Sequence, residues 1–279
     1  MEFQILNGMK SLYKLLLIPL LLVLLFSCEK IVDIDLRSVE PRLVIDASIT
    51  EFSPCVVRLT KSQDFKDNGP STRVSGATIE LRDEDGYMEI LKESDNSPGV
   101  YTSLLQGVPN KKYFLKVEVE DKIYEASAVI AEVIPIEEAY IYEIKAGSGS
   151  WYSPSFIFQD PPGIANYYYT ILYVNGNPMK TIYLDDDEFR DGLRVHNILF
   201  FNRNDNHGND LETGDEIKIE FQSLDKGMYT FYKSLFSVAA DGGTNPITNF
   251  SGNVLGCFKA YNTSFIEYNV SGDIIYPGN

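Results

Sequence analysis

Clusters of acidic side chains are the residues of this sequence whose spacing could serve a chemical function, the binding of a cation. Asp185, Asp187 and Asp191 fall in one loop-like stretch, and a second stretch rich in acids and amides covers 202–215. Calcium takes about six to eight oxygen ligands, so either stretch could wrap a calcium ion. Neither has the spacing of a helix–loop–helix calcium site. Because the chain has a formal net charge of −16, solvated acidic turns are the alternative interpretation, and we favour it.

Cysteine and histidine are scarce. Apart from Cys28, the cysteines are Cys55 and Cys257, and the histidines are His196 and His207. Export would permit a disulfide between the two distant cysteines, although two buried free thiols are the simpler interpretation. Two imidazoles with no cysteine nearby do not predict a zinc site. We therefore expect no cofactor.

Motifs of known catalytic chemistry are missing from the sequence. It contains no G-x-S-x-G nucleophile elbow, no phosphate loop and no dinucleotide fingerprint. Carboxylate pairs are frequent in any acidic chain, and the separation that glycosidase chemistry requires cannot be read from sequence. We expect a protein that is not an enzyme and has no catalytic residue.

The charge balance also excludes a class of partner. The chain has 24 Lys and Arg side chains against 40 Asp and Glu. Nucleic-acid binding needs basic patches that neutralise phosphates, so we expect no nucleic-acid partner.

Aromatic residues are concentrated at Trp151–Tyr152 and Tyr167–Tyr169. Either group could stack on a glycan or a partner loop. In a strand, however, Tyr167 and Tyr169 point one way and Tyr168 the other, so at least one face is expected in the core.

The N-terminal segment predicts export. Lys10 and Lys14 precede twelve apolar residues, Leu15–Phe26, which are followed by Ser27 and Cys28. At about 1.5 Å per residue this run is too short to cross a hydrocarbon core of about 30 Å. We predict a signal peptide over residues 1–27, cleaved before Cys28.

Leu25–Cys28 resembles the bacterial lipobox, in which the cysteine becomes acylated. Phe26 departs from it, since that position usually carries a small residue. The resemblance implies a lipid anchor at Cys28, and two or three acyl chains hold a protein on a membrane stably. An ordinary secretory signal with an incidental Cys28 is the alternative.

Two strand-rich segments follow a tether at 28–36. Short alternating runs separated by turns, such as Asp83–Gly86, predict an immunoglobulin-like β-sandwich at 37–130. A β-rich domain at 131–279 follows, with a strong hairpin signal at Asn175–Gly176 and one helix near 226–240 capped by Asp225. The expected fold is all-β, with two β-sandwich-like domains, the second carrying one inserted α-helix.

Several stretches in order carry a resemblance to a known family. The run V-S-G-A-T-I-E-L with the strands after it is similar to transthyretin-like sandwiches of the carboxypeptidase-regulatory type. As a whole, the chain resembles the Bacteroidota lipoproteins grouped as DUF4249. The stretches that carry this resemblance are S-C-E-K-I-V-D-I-D-L (27–36), P-R-L-V-I-D-A-S-I-T (41–50), V-S-G-A-T-I-E-L (74–81), D-P-P-G-I-A-N-Y-Y (160–168) and N-P-I-T-N-F-S-G-N-V-L-G-C-F-K-A-Y (245–261).

The resemblance implies a lipid-anchored outer-membrane protein that faces the cell surface or the periplasm. It implies no catalytic residue and a TonB-dependent transporter as partner. Two functions follow as expectations. One is an accessory or ligand-capture lipoprotein beside such a transporter. The other is a structural or adhesive surface module that binds glycan or protein.

Overall fold

The computed structural model describes residues 40–51, 53–63, 69–241, 245–271 and 275–277. The predicted signal peptide (1–27), the predicted acylation site Cys28 and the predicted tether (28–36) lie outside the described residues. Strand accounts for 55% of the structure and helix for 8%, which confirms an all-β, sandwich-like fold with one α-helix. No helix of the described residues is long and apolar enough to cross a membrane.

In the described part of the chain, eight strands precede residue 130. They are β1 (Leu43–Thr50), β2 (Ser53–Lys61), β3 (Thr78–Asp83), β4 (Met88–Ile90), β5 (Lys92–Ser94), β6 (Ser97–Gln106), β7 (Lys112–Val119) and β8 (Lys122–Val129). The predicted turn before β4 is present, because Asp83 Oδ1 accepts hydrogen bonds from the backbone N–H groups of Asp85 and Tyr87.

Nine more strands, a 3₁₀ turn (Arg203–Asn206) and α1 (Lys226–Asp241) follow. The strands are β9 (Ile136–Ala146), β10 (Gly149–Gln159), β11 (Tyr167–Val174), β12 (Asn177–Pro178), β13 (Tyr183–Asp186), β14 (Arg194–Ile198), β15 (Glu216–Leu224), β16 (Leu255–Asn269) and β17 (Ile275–Pro277). Asp225 caps the helix as predicted, since its Oδ1 accepts the N–H of Met228 at 2.8 Å. Such a cap contributes about 1 kcal/mol.

The strands form three sheets. The long sheet runs β12-β11-β15-β16-β1-β2-β6-β5, with β13 also beside β11. A front sheet, β4-β3-β7-β8, packs on one end of the long sheet, and a rear sheet, β14-β10-β9-β17, packs on the other. Each sandwich has its own core. The first includes Ile45, Val57 and Leu115, and the second includes Phe156 and Phe221.

The long sheet joins the two predicted domains through β16. Its first part runs parallel to β1, from the pair Val44–Leu255 to the pair Ile49–Ala260. Its second part runs antiparallel to β15. Phe258 and Ala260 therefore belong to the first core although they follow residue 131. The chain from Glu40 onward forms one compact unit, and the division at residues 130 and 131 stays a prediction.

The two described cysteines are free thiols on opposite faces of the long sheet. Cys55 belongs to the first core. Cys257 pairs with Asp46, one position before Ala47, which points into that core. Because successive side chains of a strand alternate between faces, Cys257 points away from the first core. Burial raises the pKa of each thiol to about 12. Both thiols are therefore protonated at neutral pH, as expected for structural cysteines.

Candidate functional site

The structure brings two of the three predicted calcium ligands together and adds a third residue. Carboxylate oxygens of Asp160, Asp187 and Asp191 all lie within 4.8 Å of one another. Asp185 is elsewhere, with its Oδ1 3.3 Å from Arg190 Nη2. Asp160 was not among the predicted ligands, because the D-P-P-G run reads as a turn and gives no sign that its first residue is buried.

Hydrogen bonds occupy most of these carboxylate oxygens. Buried Asp160 accepts the hydroxyl of Tyr168 on one oxygen and the N–H of Gly192 on the other, at 2.9 Å. Asp187 accepts the N–H of Asn166 at 2.9 Å. Burial and the Asp160 carboxylate raise the pKa of the Tyr168 hydroxyl, which keeps it a donor.

Asp191 Oδ1 completes the arrangement by accepting the N–H of Gly163 at 2.7 Å. The cluster thus fastens two loops, 160–166 and 187–193, which we call the stapled loops. A calcium ion would have to compete with these donors for its ligands. The geometry therefore favours a structural role, while Asp160, Asp187 and Asp191 remain the residues that could hold a cation.

The second acidic stretch is also used inside the fold. Asp205 Oδ2 accepts the N–H and the hydroxyl of Thr181, both at 2.7 Å. Asp215 accepts the N–H of Glu212 at 2.8 Å and the side-chain amide of Asn175 at 2.9 Å. Among the described residues, no metal-binding group forms from this stretch.

The tyrosine run has the predicted alternation. Tyr168 is buried in the second core, with its ring centroid 5.0 Å from that of Phe221. Tyr167 and Tyr169 face α1. The ring centroid of Tyr167 lies 4.7 Å from that of Tyr229, and the ring centroid of Tyr169 lies 5.0 Å from that of Tyr232. The three tyrosines therefore hold the helix and the core together and do not form a free binding platform.

Neither histidine belongs to a metal site in the described residues. His196 Nε2 lies 3.1 Å from the hydroxyl of Tyr140, and its ring meets that of Tyr142 edge-on. Burial lowers the pKa of His196, which favours the neutral ring. His207 ends the 3₁₀ turn in a left-handed conformation, with φ of 55°.

The other aromatic pair lines an open cleft, which we call the Trp151 cleft. The β10 strand is exposed over Gly149–Tyr152 and buried from Ser153 to Phe158. β14 pairs with β10 from Ser155 to Gln159, and Leu199 and Phe201 continue this contact to Pro154 and Ser153. Beyond Ser153 this contact ends, and a cleft of about 620 Å³ remains beside the end of β10.

Two parts of the chain line the Trp151 cleft. The aromatic wall is the free end of β10, where Trp151 and its neighbour Tyr152 lie on opposite faces of the strand, and the polar wall is Asn202, Arg203 and Asp210. Trp151 is 61% exposed and Tyr152 44%. The facing segment supplies Phe201, Asn202 and Arg203, and Asp210 lies close by. Asn202, Arg203 and Asp210 belong to the acidic stretch considered for calcium, and Phe201 belongs to no predicted site. Only the pairing of distant strands places the four beside Trp151.

Hydrogen bonds fix the polar wall in place. The N–H of Phe201 donates to Ser153 Oγ at 3.1 Å, and Asn202 Oδ1 accepts the N–H of Asn204 at 3.1 Å. The hydrogen bonds between Asp205 and Thr181 fix the 3₁₀ turn that contains Arg203. Arg203 Nη1 lies 3.5 Å from Asp210 Oδ2, and both side chains are largely exposed. The cleft can stack a flat ligand and exchange hydrogen bonds with it, which is the chemistry of binding.

The family model described as "Domain of unknown function (DUF4249)" matches residues 29–266. A comparison with curated proteins finds no match. Among solved structures, a DUF4785 family protein from Legionella pneumophila is 13% identical, with a TM-score of 0.26. That alignment covers 66% of this chain and 52% of the Legionella chain, so this protein spans about half of that one. A likeness of this degree carries no functional information.

Proposed function

Because the chain belongs to the DUF4249 family, we propose that it acts by binding, as a lipoprotein that is not an enzyme. In this proposal acylated Cys28 anchors the protein at the outer membrane. The folded part captures a ligand as the accessory of a TonB-dependent transporter. The Trp151 cleft carries the proposal, since it is preformed on strands, open to solvent and lined by side chains that stack and form hydrogen bonds.

The stapled loops supply a surface on which a transporter could dock. They present three large apolar side chains to solvent: Ile164 is 58% exposed, Phe189 87% and Leu193 55%. The N–H of Asp160 donates to the carbonyl of Leu193 at 2.9 Å, and the carboxylate cluster ties the two loops together. Exposed apolar groups on loops held in one conformation suit a protein interface, because little ordering is required on binding.

An adhesive surface module that binds glycan or protein without transport is the second candidate. The aromatic wall of the Trp151 cleft favours it equally well. The two functions differ in the partner that accompanies the protein in the membrane.

Affinity purification from native membranes separates them. Epitope-tagged protein would be isolated in mild detergent, with Cys28→Ser as the matched control, and its companions identified by mass spectrometry. Enrichment of a TonB-dependent transporter over the control is the expected result. Recovery of surface polysaccharide with no transporter would replace the accessory function with the adhesive one.

A further inference from the structure

We propose that the Trp151 cleft binds an uncharged carbohydrate, which names the ligand class of the proposed function and rests on it. The cleft volume of about 620 Å³ lies within the range of about 300–1,000 Å³ that is typical of small-molecule sites. Its open side gives room for a ligand that continues beyond the cleft, as sugar chains do.

The aromatic wall suits the apolar face of a sugar ring. One side of a pyranose carries C–H groups, which pack on the negative face of an aromatic ring. Trp151 and Tyr152 leave large parts of their side chains exposed, one on each face of the free end of β10. Phe201 also lines the cleft and packs partly on the second core. A large aromatic surface left open to water beside a concave site is more consistent with a stacking platform than with a side chain serving the core.

The polar wall suits the hydroxyl rim of the same ring. Arg203 offers a fork of N–H donors and Asp210 offers two acceptor oxygens, so together they match a pair of adjacent hydroxyls. Their mutual contact is long, at 3.5 Å, and exposed, so a ligand can insert between them at little cost. Asn202 uses its Oδ1 to cap the 3₁₀ turn, and its amide N–H₂ remains a potential donor.

Charge points to a neutral ligand. The cleft lining contains one cation, Arg203, and one anion, Asp210, so its formal charge is zero. An anionic polymer would also approach a protein with net charge −16 and be repelled.

An extended peptide that adds a strand to β10 is the competing occupant. The part of β10 not paired with β14 and exposed to the cleft is Gly149–Tyr152. At its inner end the contact between Phe201 and Ser153 closes the cleft. Four residues of free edge are shorter than the usual strand of about five or six, so the geometry favours the sugar.

The chain contains a single tryptophan, so its tryptophan fluorescence reports directly on the Trp151 cleft. Purified protein would be titrated with neutral hexasaccharides of glucose, mannose, galactose and xylose in α and β linkage. Oligogalacturonate would serve as the anionic probe and an uncharged unstructured peptide as the peptide probe. We expect one neutral series to change Trp151 fluorescence saturably. Its affinity should be the same at about 0.05 M and about 0.5 M salt, since no charge is paired.

Matched variants test the location. Tyr152→Ala and Arg203→Ala should each weaken binding about ten-fold. Tyr87→Ala, which removes a tyrosine of similar exposure (46% against 44%) outside the cleft, should leave affinity unchanged. Trp151→Ala, measured by calorimetry, should abolish binding while retaining the wild-type circular dichroism spectrum.

Three results would overturn the inference: no response to any neutral series, a response to the peptide or the anion alone, or equal losses in Tyr152→Ala and Tyr87→Ala. Because purified protein is used, these results are independent of whether a transporter accompanies the protein in the membrane.

Discussion

Gly256 crosses Ile45 so closely that a side chain at position 256 would overlap the carbonyl oxygen of Ile45. The two residues are paired where β16 runs parallel to β1, and Gly256 has a φ of +100° there. This close pairing places the first part of β16 in the first sandwich.

Replacement of Gly256 by alanine should therefore be strongly destabilising. We expect the free energy of unfolding to fall by about 2–4 kcal/mol, because both the positive φ and the close approach exclude a Cβ. Gly176→Ala is the matched control, with a φ of +75° and open space around it, and should cost about 1 kcal/mol. Urea unfolding followed by circular dichroism measures both values. Equal losses would mean that the β1–β16 crossing does not need glycine.

Local sequence pattern predicted most strands, the helix and its cap, but not the shared long sheet. The sequence indicates two strands, Val254–Tyr261 and Ser264–Val270, separated by polar Asn262 and Thr263. In the structure β16 is continuous, and Asn262 is buried because its side-chain amide donates to the carbonyl of Ala131 at 2.9 Å. That acceptor is far away in sequence, so no local pattern contains it.

The same limit applied to the sites. Trp151 and Tyr152 were recognised as a candidate platform from residue type alone. Their polar neighbours Arg203 and Asp210 were not, because strand pairing in the rear sheet determines what faces them. The D-P-P-G run indicates a turn at Asp160, whereas its burial depends on the distant hydroxyl of Tyr168 and N–H of Gly192.

A contact between Asp186 and Tyr229 should make helix docking sensitive to acid. The hydroxyl of Tyr229 donates to Asp186 Oδ2 at 2.6 Å, and this bond holds the pKa of the Asp186 carboxyl below its usual value. Because the pKa is lower in the folded state, the contact stabilises fully above the unfolded pKa of about 3.9 and is lost as pH falls through the folded pKa.

Asp186→Asn should reduce stability by about 1 kcal/mol or less near neutral pH, and the difference from wild type should shrink below about pH 4. Chemical unfolding measured at a series of pH values tests this. A difference that stays constant down to about pH 3 would assign the loss to something other than the ionised carboxylate.

Calcium should have no effect on the stability of the folded protein. Hydrogen bonds already occupy four of the carboxylate oxygens of Asp160, Asp187 and Asp191. We expect the same melting temperature with about 1 mM calcium and with a chelator. A rise in melting temperature with calcium that Asp187→Asn abolishes and Asp185→Asn retains would instead identify the cluster as a cation site.

Cys28→Ser should release the protein from the membrane. The variant is expected in the soluble fraction after cell disruption, with altered electrophoretic mobility, because the acyl chains supply the anchoring energy. If the variant stays in the membrane pellet and its mobility is unchanged, Cys28 is not the anchor.

Site-specific photo-crosslinking in intact cells tests the proposed function most directly. A photoreactive residue would replace Phe189 on the stapled loops or Leu104, which is 91% exposed on β6, and adducts would be identified by mass spectrometry. We predict that a TonB-dependent transporter is crosslinked from position 189 and not from position 104. The absence of a transporter adduct at both positions, in protein that is correctly anchored, would contradict the account.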